Sequence, residues 1–206
     1  MTIDQNLHAL FDDKPEVVQV LLKLNEKRVR WALYAGSETA LLAANRVPTD
    51  IDIIVHDHDF DRVAEVLPAL RRYDSQPEDV VTSEGQKIGF VCSGIVGQLG
   101  TTDIDVMSEA SFEVEGKEFP IRLTDLAVEH RLEYQYGALK VFLANPFDTI
   151  LIKAFMRRGA EQNKFDKPDA QALVSAVAIA SDYKTKRLRE VGTTEEVLQF
   201  LQEVGA

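Results

Sequence analysis

Trp31-Ala-Leu-Tyr-Ala-Gly-Ser-Glu-Thr-Ala-Leu-Leu-Ala-Ala-Asn-Arg-Val-Pro-Thr-Asp-Ile-Asp-Ile-Ile-Val55 is the stretch that decides how this chain is read. Trp31 to Ala35 is a short apolar strand that closes on Gly36-Ser37. Glu38 to Asn45 is rich in small helix formers, and Pro48 ends that segment. Asp50 to Val55 gives a second strand, in which acidic and β-branched residues alternate. Residues i and i+2 of a strand face the same way, so Asp50 and Asp52 project side by side, with origins roughly 7 Å apart. Two carboxylates on an otherwise apolar strand repel each other, and burial raises the pKa of at least one. A divalent cation relieves that repulsion. Mg²⁺ takes oxygen ligands and keeps positions for water and phosphate.

A second strand repeats the pattern. Thr102-Asp-Ile-Asp-Val-Met107 carries Asp103 and Asp105 on one face. Aspartate is depleted in strands, so two such tripeptides in a small domain point to a shared site rather than to two solvated faces. One of the two completes a three-carboxylate set with Asp50 and Asp52. The Gly36-Ser37 turn leads into a helix, where backbone N–H groups and a hydroxyl suit phosphate oxygens. Paired strand carboxylates just past such a turn suggest metal-assisted phosphoryl or nucleotidyl transfer.

The chain has 206 residues, 45% apolar and 28% charged, a balance typical of globular proteins. Its apolar runs are far shorter than the roughly 20 residues that span a bilayer. The polar start Met1-Thr-Ile-Asp-Gln-Asn does not resemble a signal peptide. The single cysteine, Cys92, sits in an apolar run and reads as a buried core thiol, which fits a reducing, cytoplasmic setting. Residues 122–206 hold 12 basic and 12 acidic side chains, so the whole net charge of −11 falls on the first 121 residues. Such a surface disfavours extended DNA or RNA binding, though not the docking of one RNA end.

Residues 14–29 predict an amphipathic helix capped by Asp12 or Asp13, with Pro15 in its first turn. Val63, Val66, Leu67 and Leu70 predict a helix over 60–73. Residues 87–96 and 102–107 read as strands, and 112–119 as a hairpin turning at Gly116. Leu123 to His130 reads as a short helix and Ala138 to Ala144 as a strand. Helices are expected over 147–160, 169–181 and 194–204. His56-Asp57-His58-Asp59 has ligand-type residues but reads as the loop and cap of the next helix. The expected fold is α+β: a mixed β-sheet core over residues 1–121 with flanking helices. A mostly helical part, residues 122–206, completes the cleft.

Gly36-Ser37, Asp50-Ile-Asp52 and a later strand aspartate together resemble the nucleotidyltransferase superfamily with the DNA polymerase β-type catalytic fold. Arg46 and the helix Asn145 to Arg158, with the following Lys164-Phe-Asp-Lys-Pro-Asp169, resemble its abortive-infection (AbiEii-like) toxin branch. The resemblance covers roughly residues 31 to 173. Ser37 replaces the second glycine common in the toxin branch, and Pro48 stands where a serine is frequent. The resemblance implies that Asp50, Asp52 and Asp105 (Asp103 as alternate) hold Mg²⁺ or Mn²⁺. It implies nucleotide contacts from Gly36, Ser37, Arg46, Lys153 and Arg157, with Asp166 or Asp169 orienting the lysine. It implies transfer of an NMP from an NTP to a hydroxyl, with pyrophosphate leaving. The acceptor would be a tRNA 3′ end or a protein side chain, and a toxin would have an antitoxin partner. Alternatives are a small-molecule acceptor of the antibiotic type and an inert nucleotide-binding module.

Overall fold

The computed structural model describes residues 2–43, 48 and 50–206. Arg46 lies outside these. The chain opens with helices α1 (Ile3–Phe11) and α2 (Pro15–Glu26), then strand β1 (Trp31–Leu33), helix α3 (Ala35–Ala43) and strand β2 (Asp50–Val55). Helix α4 (Phe60–Val66) precedes three long strands, β3 (Arg71–Val81), β4 (Lys87–Leu99) and β5 (Thr102–Val114), and the short β6 (Lys117–Pro120). Helix α5 (Asp125–Glu129) leads to β7 (Leu132–Tyr136) and β8 (Leu139–Leu143). Helices α6 (Pro146–Met156), α7 (Asp166–Ala176), α8 (Ser181–Val191) and α9 (Glu195–Val204) follow.

Among the described residues the eight strands form one mixed sheet in the order β3-β4-β5-β2-β1-β8-β7, with β6 paired to the far half of β5. β2 runs parallel to β5 and β1 parallel to β8; the remaining pairs are antiparallel. The fold is therefore α+β with a mixed, open sheet, as the sequence predicts. β7 and β8 belong to this same sheet although they lie beyond residue 121.

Alternation along the central strands sorts the core into two layers. Ile51, Ile53 and Val55 of β2 and Ile104 and Val106 of β5 pack with α1, α2 and α4 on one face. Ile54 and Met107 point to the other face, where Phe147, Ile150, Phe155, Leu173 and Phe200 of the C-terminal helices cover the sheet. Each fully buried aliphatic or aromatic side chain contributes roughly 1.5–3 kcal/mol. Asp50, Asp52, Asp103 and Asp105 share the face of Ile54 and Met107, so the acidic ends of two core strands open toward the C-terminal helices.

Several expectations are corrected. The helix predicted over 60–73 ends at Val66, ahead of Pro68, and Arg71 onward is strand β3. The N-cap of α2 is Lys14, with no side-chain cap. Asp12 instead meets His8 (2.9 Å) and the Tyr136 hydroxyl (2.8 Å). Helix α6 stops at Met156, four residues short of the predicted 160, and α7 starts three residues earlier than expected. Helices α1 and α8 and strand β7 have no counterpart in the sequence reading. No helix among the described residues is long and apolar enough to cross a membrane.

Candidate active site

The two acidic tripeptides lie side by side. In the parallel pairing of β2 with β5, Asp50 stands opposite Asp103 and Asp52 opposite Asp105. Asp50, Asp52 and Asp105 line a cavity of about 860 Å³ between the sheet and helices α6 and α7. Asp103 does not line it. Its carboxylate accepts from Gln98 Nε2 (2.8 Å) at the exposed end of the β4–β5 hairpin. The geometry thus groups Asp105, rather than Asp103, with the first pair.

The turn between β1 and α3 fixes Asp52. Ala35 adopts a left-handed backbone (φ 50°), an uncommon state for a residue with a β-carbon. It turns the Gly36 N–H toward Asp52 Oδ2 (3.1 Å). A β-carbon on Gly36 would lie 3.1 Å from that oxygen, so the glycine permits the close approach. Ser37 is fully buried. Its Oγ accepts from the Asp52 N–H (2.9 Å) and donates to the Asp50 carbonyl (3.3 Å), clamping the acidic end of β2 to α3. The Ser37 hydroxyl is therefore committed to the strand backbone, and it is Gly36 that lines the cavity.

Burial pushes the Asp52 carboxyl up to about 7, with the charges of Asp50 and Asp105 adding to the shift and the Ser37 and Gly36 hydrogen bonds opposing it. Burial also raises Asp105, helped by Asp50 and Glu78. Asp105 Oδ1 is buried and has no hydrogen-bond partner. A buried carboxylate oxygen without a partner is costly and rare in folded proteins.

Helix α6 supplies the opposite wall. Asn145 caps it, accepting from the Phe147 N–H (3.1 Å), and Pro146 takes its first position. Lys153 is buried rather than reaching out to water. Its Nζ donates to Asp169 Oδ2 (2.8 Å) and approaches Asp166 Oδ1 (3.5 Å). Arg158, which the sequence reading passed over, binds Asp166 through its backbone N–H (2.9 Å) and Nε (3.1 Å). Lys153, Asp166, Asp169 and Arg158 all line the cavity. Arg157 does not: it caps α6 with φ 43° and turns its guanidinium to Gln86 Oε1 (2.7 Å) on the β3–β4 hairpin. One turn below Lys153, the Thr149 hydroxyl accepts from the Ala35 N–H (3.0 Å) and donates to Glu38. Glu38 is fully buried, which raises its carboxyl well above the usual range.

Cys92 is buried, as expected, and also borders the cavity, where its Sγ meets the Tyr73 hydroxyl at 3.6 Å. In the His56–Asp59 run, a short 3-10 turn leads into α4; Asp59 is fully buried and paired with Arg30 (2.7 Å), while Asp57 takes hydrogen bonds from Ser108 (3.0 Å) and the Glu109 N–H (2.9 Å).

Among the described residues no three metal-ligating side chains stand ready-assembled around one point. The donor set of Asp50, Asp52 and Asp105 nevertheless suits a hard divalent cation: oxygen ligands only, burial and then neighbouring carboxylates that hold Asp52 and Asp105 above their usual range, and one buried oxygen without a partner.

No protein-family model matches the chain, and neither does any curated protein. Solved structures similar in part include a presumed nucleotidyltransferase from Thermotoga maritima. It is 15% identical over 61% of this chain and 73% of that one, with a TM-score of 0.44. An antigenic nucleotidyltransferase-like protein from Paracoccidioides brasiliensis is 18% identical, covering 94% and 89%, with a TM-score of 0.49. At this identity and overlap the neighbours do not bear on the chemistry.

Proposed function

We propose that this chain is a nucleotidyltransferase that moves an NMP unit from an NTP to a hydroxyl acceptor. The observation that carries the reading is the alignment of Asp52 with Asp105 across parallel strands, facing a cavity whose other wall holds Lys153. Asp50, Asp52 and Asp105 are the residues that would hold Mg²⁺ or Mn²⁺. Bound there, the metal would supply Lewis-acid stabilisation of the charge on the reacting phosphate oxygens.

The protein's own groups do the rest. The Gly36 N–H and the Ser37 clamp keep Asp52 aimed into the cavity. Lys153, set by Asp169 and Asp166, places positive charge opposite the carboxylates, where the triphosphate would lie. In the reaction the acceptor oxygen bonds to the α-phosphorus. The bond from that phosphorus to the bridging oxygen breaks, and pyrophosphate leaves with the electron pair. The hydroxyl proton passes to Asp105, whose carboxyl is raised by burial and so accepts a proton more readily than an exposed aspartate. The same reading allows that the enzyme is the toxin of a toxin–antitoxin pair, in which case a neutralising antitoxin protein would be its partner.

The test is incubation of the purified protein with Mg²⁺, each α-labelled NTP in turn, total RNA and cell lysate. Label is expected on an RNA or protein band with wild type and absent with Asp52→Asn. Label that persists in Asp52→Asn removes the core of the proposal. NTP binding with no transfer to RNA, protein or small molecules would make the chain an inert binding module instead.

A further inference from the structure

Strand register places one more charged group in line with the carboxylates. Asp52 pairs with Asp105, Asp105 with Val96, and Val96 with Arg71. Residues directly opposite one another in a ladder share a sheet face, so these four form a row running from β2 to β3. All four line the cavity. With strands about 4.8 Å apart, Arg71 stands roughly 10 Å from Asp105, across the small side chain of Val96. The neighbouring row supports this assignment: Tyr73, Gly94 and Met107 are likewise in register, and Tyr73 and Met107 also line the cavity. The phenol end of Tyr73 sits over Gly94, where an added β-carbon would come within 2.4 Å of the ring. Tyr73 therefore makes an aromatic floor beside Arg71.

Arg71 is exposed, and among the described residues it has neither an ion pair nor a hydrogen bond. Its neighbour Arg72, by contrast, is held by Asp61 (2.7 Å) and Asp74 (3.0 Å) on the other face. Gly36 and Lys153 take up the β1 and α6 side of the carboxylates, which leaves the β4–β3 side for the second substrate. On that side Arg71 supplies a cation, and Glu78, further along β3, also lines the cavity.

Building on the nucleotidyltransferase reading, we propose that the row past Asp105 is the acceptor subsite, with Arg71 binding a backbone phosphate of an RNA 3′ end whose terminal hydroxyl reaches Asp105. An unpaired arginine one nucleotide's length from the reacting carboxylate selects an anionic acceptor. A polycationic aminoglycoside would meet a like charge at that position. An aromatic floor at the same place suits a terminal base or ribose, since stacking on aromatic side chains is how unpaired nucleotides are held. The strongly acidic surface elsewhere confines the contact to the chain end, so few phosphates are engaged.

The test reads binding and transfer separately. Fluorescence anisotropy follows a labelled 12-nucleotide single-stranded RNA with a free 3′ hydroxyl on wild type, Arg71→Glu and Arg71→Lys. Wild type is expected to bind, Arg71→Glu to lose at least tenfold in affinity, and Arg71→Lys to recover part of it. The plot of log affinity against log salt should flatten by about 0.7 in Arg71→Glu, the signature of one lost single-strand phosphate contact. A merely structural role for Arg71 would not move that slope. RNA binding equal in wild type and Arg71→Glu, with label still transferred to RNA, overturns the subsite and leaves the reaction standing. RNA binding lost in Arg71→Glu, with no transfer from any NTP, supports the subsite and overturns the reaction. Wild type that binds kanamycin but not the RNA overturns the anionic-acceptor assignment.

Discussion

Asp50-Ile-Asp52 and Asp103-Ile-Asp105 are the same tripeptide on adjacent parallel strands, in register, and they do different things. On β2 both aspartates face the cavity, and Asp52 is held from behind by Gly36 and Ser37. On β5 they divide. Asp105 enters the cavity with one oxygen unpartnered, while Asp103 lies at the exposed hairpin end and satisfies itself with Gln98. What stands across from an aspartate decides its chemistry, not the motif that contains it. Helix α3 packs against the end of β2 and supplies donors there. The β4–β5 turn leaves the end of β5 to water.

The comparison can be broken by removing one carboxylate at a time. Asp105→Asn should lower the transfer rate by about a hundredfold or more, the scale seen when one charge-stabilising group at a reacting centre is lost. It is measured by single-turnover transfer of α-label. A rate within threefold of wild type would place the third carboxylate elsewhere. Gly36→Ala tests the support behind Asp52. Its β-carbon must displace Oδ2 from 3.1 Å, and about a tenfold loss of rate is expected with the fold intact by circular dichroism. An unchanged rate would mean that Asp52 needs no such aim.

The smallest effect is on stability. The Asp52 carboxyl is raised from 3.8 to about 7 by burial first, then by Asp50 and Asp105. Because the folded value lies above the unfolded one, the native state holds the proton more tightly. That stabilisation is complete below about pH 4 and is lost as pH rises through 7. Asp52→Asn removes the loss. In metal-free buffer at pH 8 its Tm should exceed that of wild type by a few degrees, and the gap should close toward pH 4. Asp103→Asn, at an exposed carboxylate, should leave Tm unchanged at both pH values. A wild-type Tm flat from pH 4 to 8 would contradict the buried, repelled Asp52.

Much of the site was legible because its local signals are strong. Alternation in 50–55 and 102–107 gives the strands, and a buried-strand aspartate has few structural excuses. Lys153 with Asp166 and Asp169 came only from the family resemblance of residues 145–169, and the structure brings the three side chains together. The resemblance also implies Arg157, but a residue four after Lys153 shares its face only while the helix continues. Helix α6 ends at Met156, and the left-handed cap swings Arg157 away, so that Arg158 takes the cavity position. Strand β3 was hidden because Leu67 and Leu70 extend a helical pattern past Pro68, and because an edge strand tolerates the polar run and Pro77 that argue against a central one. Arg71 was hidden with it. Helix α8 escaped notice because one of its core positions is an arginine. Arg187 is buried between Tyr183 and Val191 and neutralised by Asp148 (2.6 Å), a pairing between distant segments that no local period reveals.

The most direct test of the central claim, that Asp50, Asp52 and Asp105 act as one site and Asp103 stands apart, is a side-by-side transfer assay of Asp105→Asn and Asp103→Asn with α-labelled NTP and RNA. The account predicts loss of label in Asp105→Asn and, in Asp103→Asn, a rate within about twofold of wild type, as for an exposed side chain outside the reacting centre. Loss in Asp103→Asn with label retained in Asp105→Asn would contradict it.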